Sequence, residues 1–162
     1  MSLPWRTATL GLILATATAS IISLSAQASD PVAGTWELNV AKSKFFPGVP
    51  PPKSQTRTYE VTGQQEKMSA KGIDAEGKPE LIQFTGNRDG KDYPYTGSPR
   101  FDTISVTPVD TFTVTYTNKR AGKVVVTGTR VISKDGKMMT ISAKGTDAKG
   151  QPAEGVLVFD KR

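Results

Sequence analysis

Over residues 111–118 the chain alternates without a break. Phe112, Val114 and Tyr116 fall on one face, and Thr111, Thr113, Thr115 and Thr117 on the other. A side-chain period of two marks a strand with one buried face, because a helix would scatter these residues around its axis. The same signal recurs at residues 34–40, 56–61, 66–73, 80–85, 103–107, 123–133, 138–144 and 155–159. Turn chemistry separates many of these runs: Thr62-Gly63, Asp74-Ala75-Glu76-Gly77 and the two-residue signal Asp135-Gly136. The proline-rich stretch 47–52 breaks regular structure and reads as a loop or wrapping segment. Residues 87–99 read as a long polar loop carrying Tyr93 and Tyr95. About nine strands with short connections predict an antiparallel meander, with room for one helical turn within residues 40–46.

Composition agrees with the pattern. From Ser29 onward there are 16 Thr and 13 Val against 3 Leu and 8 Ala. Such a list suits a pleated surface and supports few helices. Cys and His are absent from the whole chain. Disulfides, thiolate metal sites, Cys or Ser–His nucleophile pairs and imidazole acid–base chemistry are thereby excluded. The net charge of +6 comes largely from lysines scattered at turns, the pattern of solvated loops rather than of a nucleic-acid surface. A weak attraction to anionic envelope surfaces is the partner that charge allows.

The N-terminus reads as an export signal. A weakly positive start, Met1 to Arg6, precedes an uncharged stretch rich in Ala, Leu, Ile and Thr. Ser25-Ala26-Gln27-Ala28 then supplies the small-residue pattern a signal peptidase accepts. The expected organisation is a leader over residues 1–28, cleaved near Ala28, and one barrel domain over 29–162. The mature protein is expected to be a soluble monomer in a Gram-negative periplasm or beyond.

The chain repeats itself. Residues 57–79 and 130–152 align without gaps at an offset of 73, with ten of 23 positions identical. Ser69-Ala70-Lys71-Gly72 returns as Ser142-Ala143-Lys144-Gly145, and Asp74-Ala75 as Asp147-Ala148. The repeated unit is strand–turn–strand–turn, with Gly77 and Gly150 at the same place in each second turn. Two copies are too few for a solenoid or propeller and point to a barrel or sandwich of similar hairpins.

Gly34-Thr35-Trp36 opening the first strand, and Val156-Leu157-Val158-Phe159-Asp160-Lys161 closing the last, resemble the ends of calycin barrels, the superfamily of lipocalins and fatty-acid-binding proteins. That resemblance implies a single antiparallel barrel of about eight to ten strands. It also implies a tryptophan plugging one end, with a basic side chain from a late strand over its indole. Lipocalins often have a short helix, and fatty-acid-binding proteins a helical lid, where this chain carries its prolines. Residues after Asp30 also resemble a family of small exported bacterial proteins with no assigned activity. The shared segments are Asp89-Gly90-Lys91-Asp92-Tyr93-Pro94, Ser133-Lys134-Asp135-Gly136-Lys137 and Lys144-Gly145-Thr146-Asp147-Ala148.

An eight-stranded barrel is just wide enough to hold one small ligand. The leading expectation is therefore a non-enzymatic carrier of a small hydrophobic or amphipathic acidic ligand, needing no cofactor or metal. Phe84, Phe112, Val114, Tyr116, Val126 and Ile141 would supply apolar contacts. Trp36 reads either as a core plug or as part of the cavity floor. Arg57 shares a strand face with Tyr59, and Arg130 with Ile132. Either guanidinium could hold a ligand acid bidentately, stack on Trp36, or sit at a rim. The candidate ligand residues are thus Trp36, Arg57, Tyr59, Phe84, Phe112, Tyr116 and Arg130. Residues 87–92 offer three oxygen-bearing side chains, but Arg88 and Lys91 interleave and no bidentate Glu follows, so they read as a turn. Tyr93-Pro94-Tyr95 reads as a mouth guard or a loop anchor. The alternative is a barrel filled by its own side chains, serving as an envelope binding or stress-protection module through its loops. An enzyme ranks third, resting on carboxylates such as Glu37, Glu60, Asp102 and Asp110 whose separations a sequence does not give.

Overall fold

The computed structural model describes residues 29–147 and 149–162; the predicted leader, residues 1–28, and Ala148 of the repeat lie outside the described residues. The described chain folds as β1 (Gly34–Leu38), a 3-10 turn (Val40–Lys42), β2 (Ser54–Thr62), β3 (Gln65–Ile73), β4 (Pro79–Asn87) and β5 (Tyr93–Thr96). β6 (Thr103–Pro108), β7 (Thr113–Arg120), β8 (Lys123–Ile132), β9 (Met138–Thr146) and β10 (Pro152–Lys161) complete it. Each strand pairs antiparallel with the next, and β10 pairs with β1, so the sheet closes into a barrel without free edges. Closure protects the ladder hydrogen bonds that an open sheet would present to other chains.

Alternation decides which side chains enter. On β3, Glu66, Met68 and Ala70 point inward and are buried, while Lys67 and Lys71 face water. Trp36 and Phe159, both fully buried, anchor the lower core with Met139, Val106 and Ile132. Each buried side chain of this size contributes about 1.5–3 kcal/mol through burial alone.

One end of the barrel is sealed, and Trp36 is the plug. Its indole nitrogen donates to the Val32 carbonyl at 2.7 Å, and Lys161 Nζ lies 5.0 Å from the ring centroid. The Gly34-x-Trp36 resemblance implied such a basic cover from a late strand. Gly34 takes φ +121°, and a Cβ there would stand 3.1 Å from the Lys161 stem, so glycine makes room for that cover.

The repeat is a repeat of geometry. β2–β3 and β8–β9 are equivalent hairpins, and the turn after each is built alike. Asp74 Oδ1 accepts from the Lys78 amide at 2.7 Å, and Asp147 Oδ1 from the Gln151 amide at 2.9 Å. Gly77 and Gly150 both adopt positive φ. One Asx-anchored solution serves two corners of the barrel.

Two expectations need correction. Residues 87–99 are not all loop, because Tyr93–Thr96 forms β5 between β4 and β6. A four-residue strand containing Pro94 carries a weak signal, since proline donates no ladder bond. β7 starts at Thr113 rather than Thr111, because Asp110 Oδ1 captures the Phe112 amide at 2.8 Å and draws residues 110–113 into a turn. Residues 40–52 follow the expected course. The 3-10 turn leads to a Lys44–Val156 bridge along β10, and the proline segment then passes over the open end.

Candidate ligand cavity

Above the Trp36 plug the barrel is hollow. A cavity of about 790 Å³ runs from Glu66 and Arg130 at its floor to loops around residues 44–52, 74–76 and 97–101 at its mouth. Sites for small ligands fall within roughly 300–1,000 Å³. The wall is largely apolar and aromatic, with Phe84, Phe101, Ile104, Val114, Val126, Ile141 and Leu157 among its residues. An interior filled by its own side chains is therefore not what this chain builds.

Of the residues singled out by sequence, Arg57, Tyr59, Phe84, Tyr116 and Arg130 line this cavity. Trp36 and Phe112 stand outside its lining. Trp36 is fully enclosed in the sealed end, and Phe112 lies in the turn before β7, beside Ile132 and Asp110. Alternation set their faces correctly but not their depth along the barrel axis.

The two arginines have different neighbours. Arg130 forms a bidentate pair with Glu66, at 2.6 and 2.7 Å, and its guanidinium carbon lies 4.8 Å over the Tyr59 ring. Arg88 adds a third bond to Glu66 at 2.6 Å and reaches Asp30 at 2.6 Å. Burial opposes ionisation of Glu66, but the Arg130 and Arg88 guanidiniums outweigh it and hold its carboxyl below the usual glutamate range. Asp30 is likewise held low, burial being outweighed by its bonds from Arg88 and the Val32 amide. The charge of Arg130 is thus neutralised inside the protein.

Arg57 has no such partner: among the described residues it forms no salt bridge, although it lies well inside the barrel. Its Nε donates to Gln55 Oε1 at 2.9 Å, and Gln55 Nε2 in turn donates to Glu80 at 3.1 Å. Its guanidinium carbon lies 4.9 Å over the Phe159 ring. Burial works against the charge, but the phenol oxygens of Tyr59, Tyr95 and Tyr116 outweigh it and keep the guanidinium protonated. Burial in turn raises Tyr95 and Tyr116 above the ordinary phenol value, so both keep their protons. Tyr116 donates to the Ser142 carbonyl at 3.0 Å. A second arginine without a carboxylate among the described residues, Arg100, stands at the mouth between Phe46 and Phe101, at 5.1 and 5.2 Å. The arrangement can hold an anion and cover an apolar body.

Sequence reasoning missed Glu66, Gln55, Arg100 and Asn118, all of which line the cavity. Glu66 and Asn118 were within reach, because each shares an inward face by alternation with residues read as buried. The turn at residues 87–92 uses its acid internally, with Asp89 accepting from the Lys91 amide and the Tyr93 hydroxyl, both at 3.1 Å.

No protein-family model and no curated protein matches the chain. Solved structures similar to it include apocrustacyanin C2, with 15% identity, a TM-score of 0.47, and coverage of 82% of this chain and 62% of that one. Lobster apocrustacyanin A1 has the same identity and TM-score, covering 82% and 61%. EF1p2_mFAP2b bound to DFHBI follows with 12% identity and a TM-score of 0.42, covering 82% and 94%. The chain spans about three-fifths of the length of the two crustacyanin chains. The chain itself is a closed, all-β, antiparallel meander barrel with a hollow interior, sealed at the Trp36 end.

Proposed function

We propose that this protein is a non-catalytic carrier of one small amphipathic acid, with the acid's carboxylate on Arg57 and its apolar body against the aromatic wall. We also propose that it works outside the cytoplasm, as a single domain over residues 29–162, once the leader is cleaved near Ala28. The observation that carries the ligand reading is a charged guanidinium inside a hollow lumen with no ion-pair partner among the described residues. A carboxylate would satisfy it bidentately, and protonated Tyr95 is a neutral donor beside the same spot. Arg130, the other candidate, already has its anion in Glu66. The leader's Ala-x-Ala pattern supports export.

The test is thermal unfolding of the purified protein with and without dodecanoic acid. Ligand at a hundred times its dissociation constant stabilises by about 2.7 kcal/mol. For a domain of this size that is a rise in Tm of roughly 8–11 °C. Arg57→Gln is expected to weaken binding by roughly tenfold to a hundredfold, the loss of one or two hydrogen bonds to a charged group. No shift in Tm at saturating acid, or an unchanged affinity in Arg57→Gln, contradicts the proposal.

A further inference from the structure

The cavity contains a polar group for which the Arg57 reading finds no use. Asn118 lies on the inward face of β7 with Val114 and Tyr116; it lines the lumen and is 6% exposed. Its cross-strand neighbours are Ile104 on β6 and Val126 on β8, whose side chains cannot hydrogen-bond. Its Oδ1 is buried without any hydrogen-bond partner. Leucine has the same branched skeleton and would not strand an amide, so apolar packing gives no reason for asparagine there. In a ten-stranded barrel β7 is five strands from β2 in either direction, which sets Asn118 across the lumen from the β2 wall that carries Arg57. It also sits two residues closer to the mouth than Tyr116, a step of about 6.6 Å along a strand.

A wholly apolar ligand body would shut this amide away from water and leave it unsatisfied. A hydroxyl both donates and accepts, so it satisfies the amide whichever way the amide is turned. We infer that the ligand is a hydroxylated amphipathic acid, its carboxylate on Arg57 and a hydroxyl, set away from the carboxylate, on Asn118. The inference rests on the acid-binding reading above and adds the second contact.

The test is a calorimetric titration of the purified protein with dodecanoic acid and with its hydroxylated derivatives, the hydroxyl near the head, mid-chain or at the tail. One net hydrogen bond makes the best hydroxylated acid roughly two- to tenfold tighter than dodecanoic acid. Asn118→Leu is expected to abolish that preference while keeping, or improving, the affinity for dodecanoic acid itself. Asn118→Ala is the second variant, and Tm of both without ligand reports whether they fold. If wild type binds dodecanoic acid at least as tightly as every derivative, or if both folded variants keep the preference, the hydroxyl inference falls and the Arg57 reading stands. If no acid binds wild type, both fall.

Discussion

Replacing Glu66 with leucine perturbs the floor of the barrel at its most tightly bonded point. Glu66 is 1% exposed and takes three charge-assisted hydrogen bonds, two from Arg130 and one from Arg88, each of 2.6–2.7 Å. Arg88 keeps Asp30 in the variant, but Arg130 is left charged, enclosed and without an anion. Removing one member of a buried ion pair costs about 3–5 kcal/mol. At roughly 3–4 °C per kcal/mol for a domain of this length, Tm should fall by about 9–20 °C. Arg130→Met is the milder change, because Arg88 still neutralises Glu66. The double variant should cost less than the sum of the two singles, since it removes both the stranded charge and its partner. Guanidinium chloride unfolding followed by far-ultraviolet circular dichroism measures all three. A cost below about 1 kcal/mol for Glu66→Leu, or strict additivity in the double variant, would refute this account of the floor.

Three further outcomes follow from the same geometry. Glu66 and Asp30 are both held below their ordinary carboxylate values, so the unfolded chain binds more protons than the folded one between those values and the folded ones. Their stabilisation is fully present above about pH 5 and is lost as the pH falls through the folded values; acid titration of unfolding free energy should slope downward there, and a flat profile from pH 5 to 2 would contradict the ion network. Gly97→Ala must place a Cβ 1.9 Å from the Leu81 carbonyl oxygen at φ +83°, and should cost about 2–4 kcal/mol by denaturant unfolding. Trp36→Phe removes the bond to the Val32 carbonyl and leaves a smaller ring beneath Lys161; a loss of about 1.5–3 kcal/mol is expected, with acid binding preserved because Trp36 lies outside the cavity lining.

Much of this architecture was legible in the chain. The unbroken alternation over residues 111–118 fixed which side chains of β7 enter the barrel, and the offset of 73 identified two hairpins that share turn chemistry. Arg57 and Arg130 were correctly placed inside by parity with Tyr59 and Ile132. Parity gives a face and no height, which is why Trp36 and Phe112 were grouped with cavity residues that lie above them. Nor does it tell which charged side chains meet across the lumen. The Glu66–Arg130 contact spans 64 residues and that of Arg88 with Asp30 spans 58, so no local pattern separates the neutralised arginine from the one without an ion pair. β5 was hidden for a local reason, since four residues with a proline among them give almost no periodic signal. The hollow itself comes from the strand number and stagger of the closed sheet, which become visible only once all ten strands are paired.

Native mass spectrometry of the protein isolated from its own host, sprayed without denaturation, puts the idea of a loaded container to the most direct trial. The account predicts a one-to-one complex whose extra mass is released on denaturation as a single small acid, and its absence from Arg57→Gln prepared in parallel. A population bearing no small molecule, and remaining bare after incubation with dodecanoic acid and its hydroxylated derivatives, would contradict it.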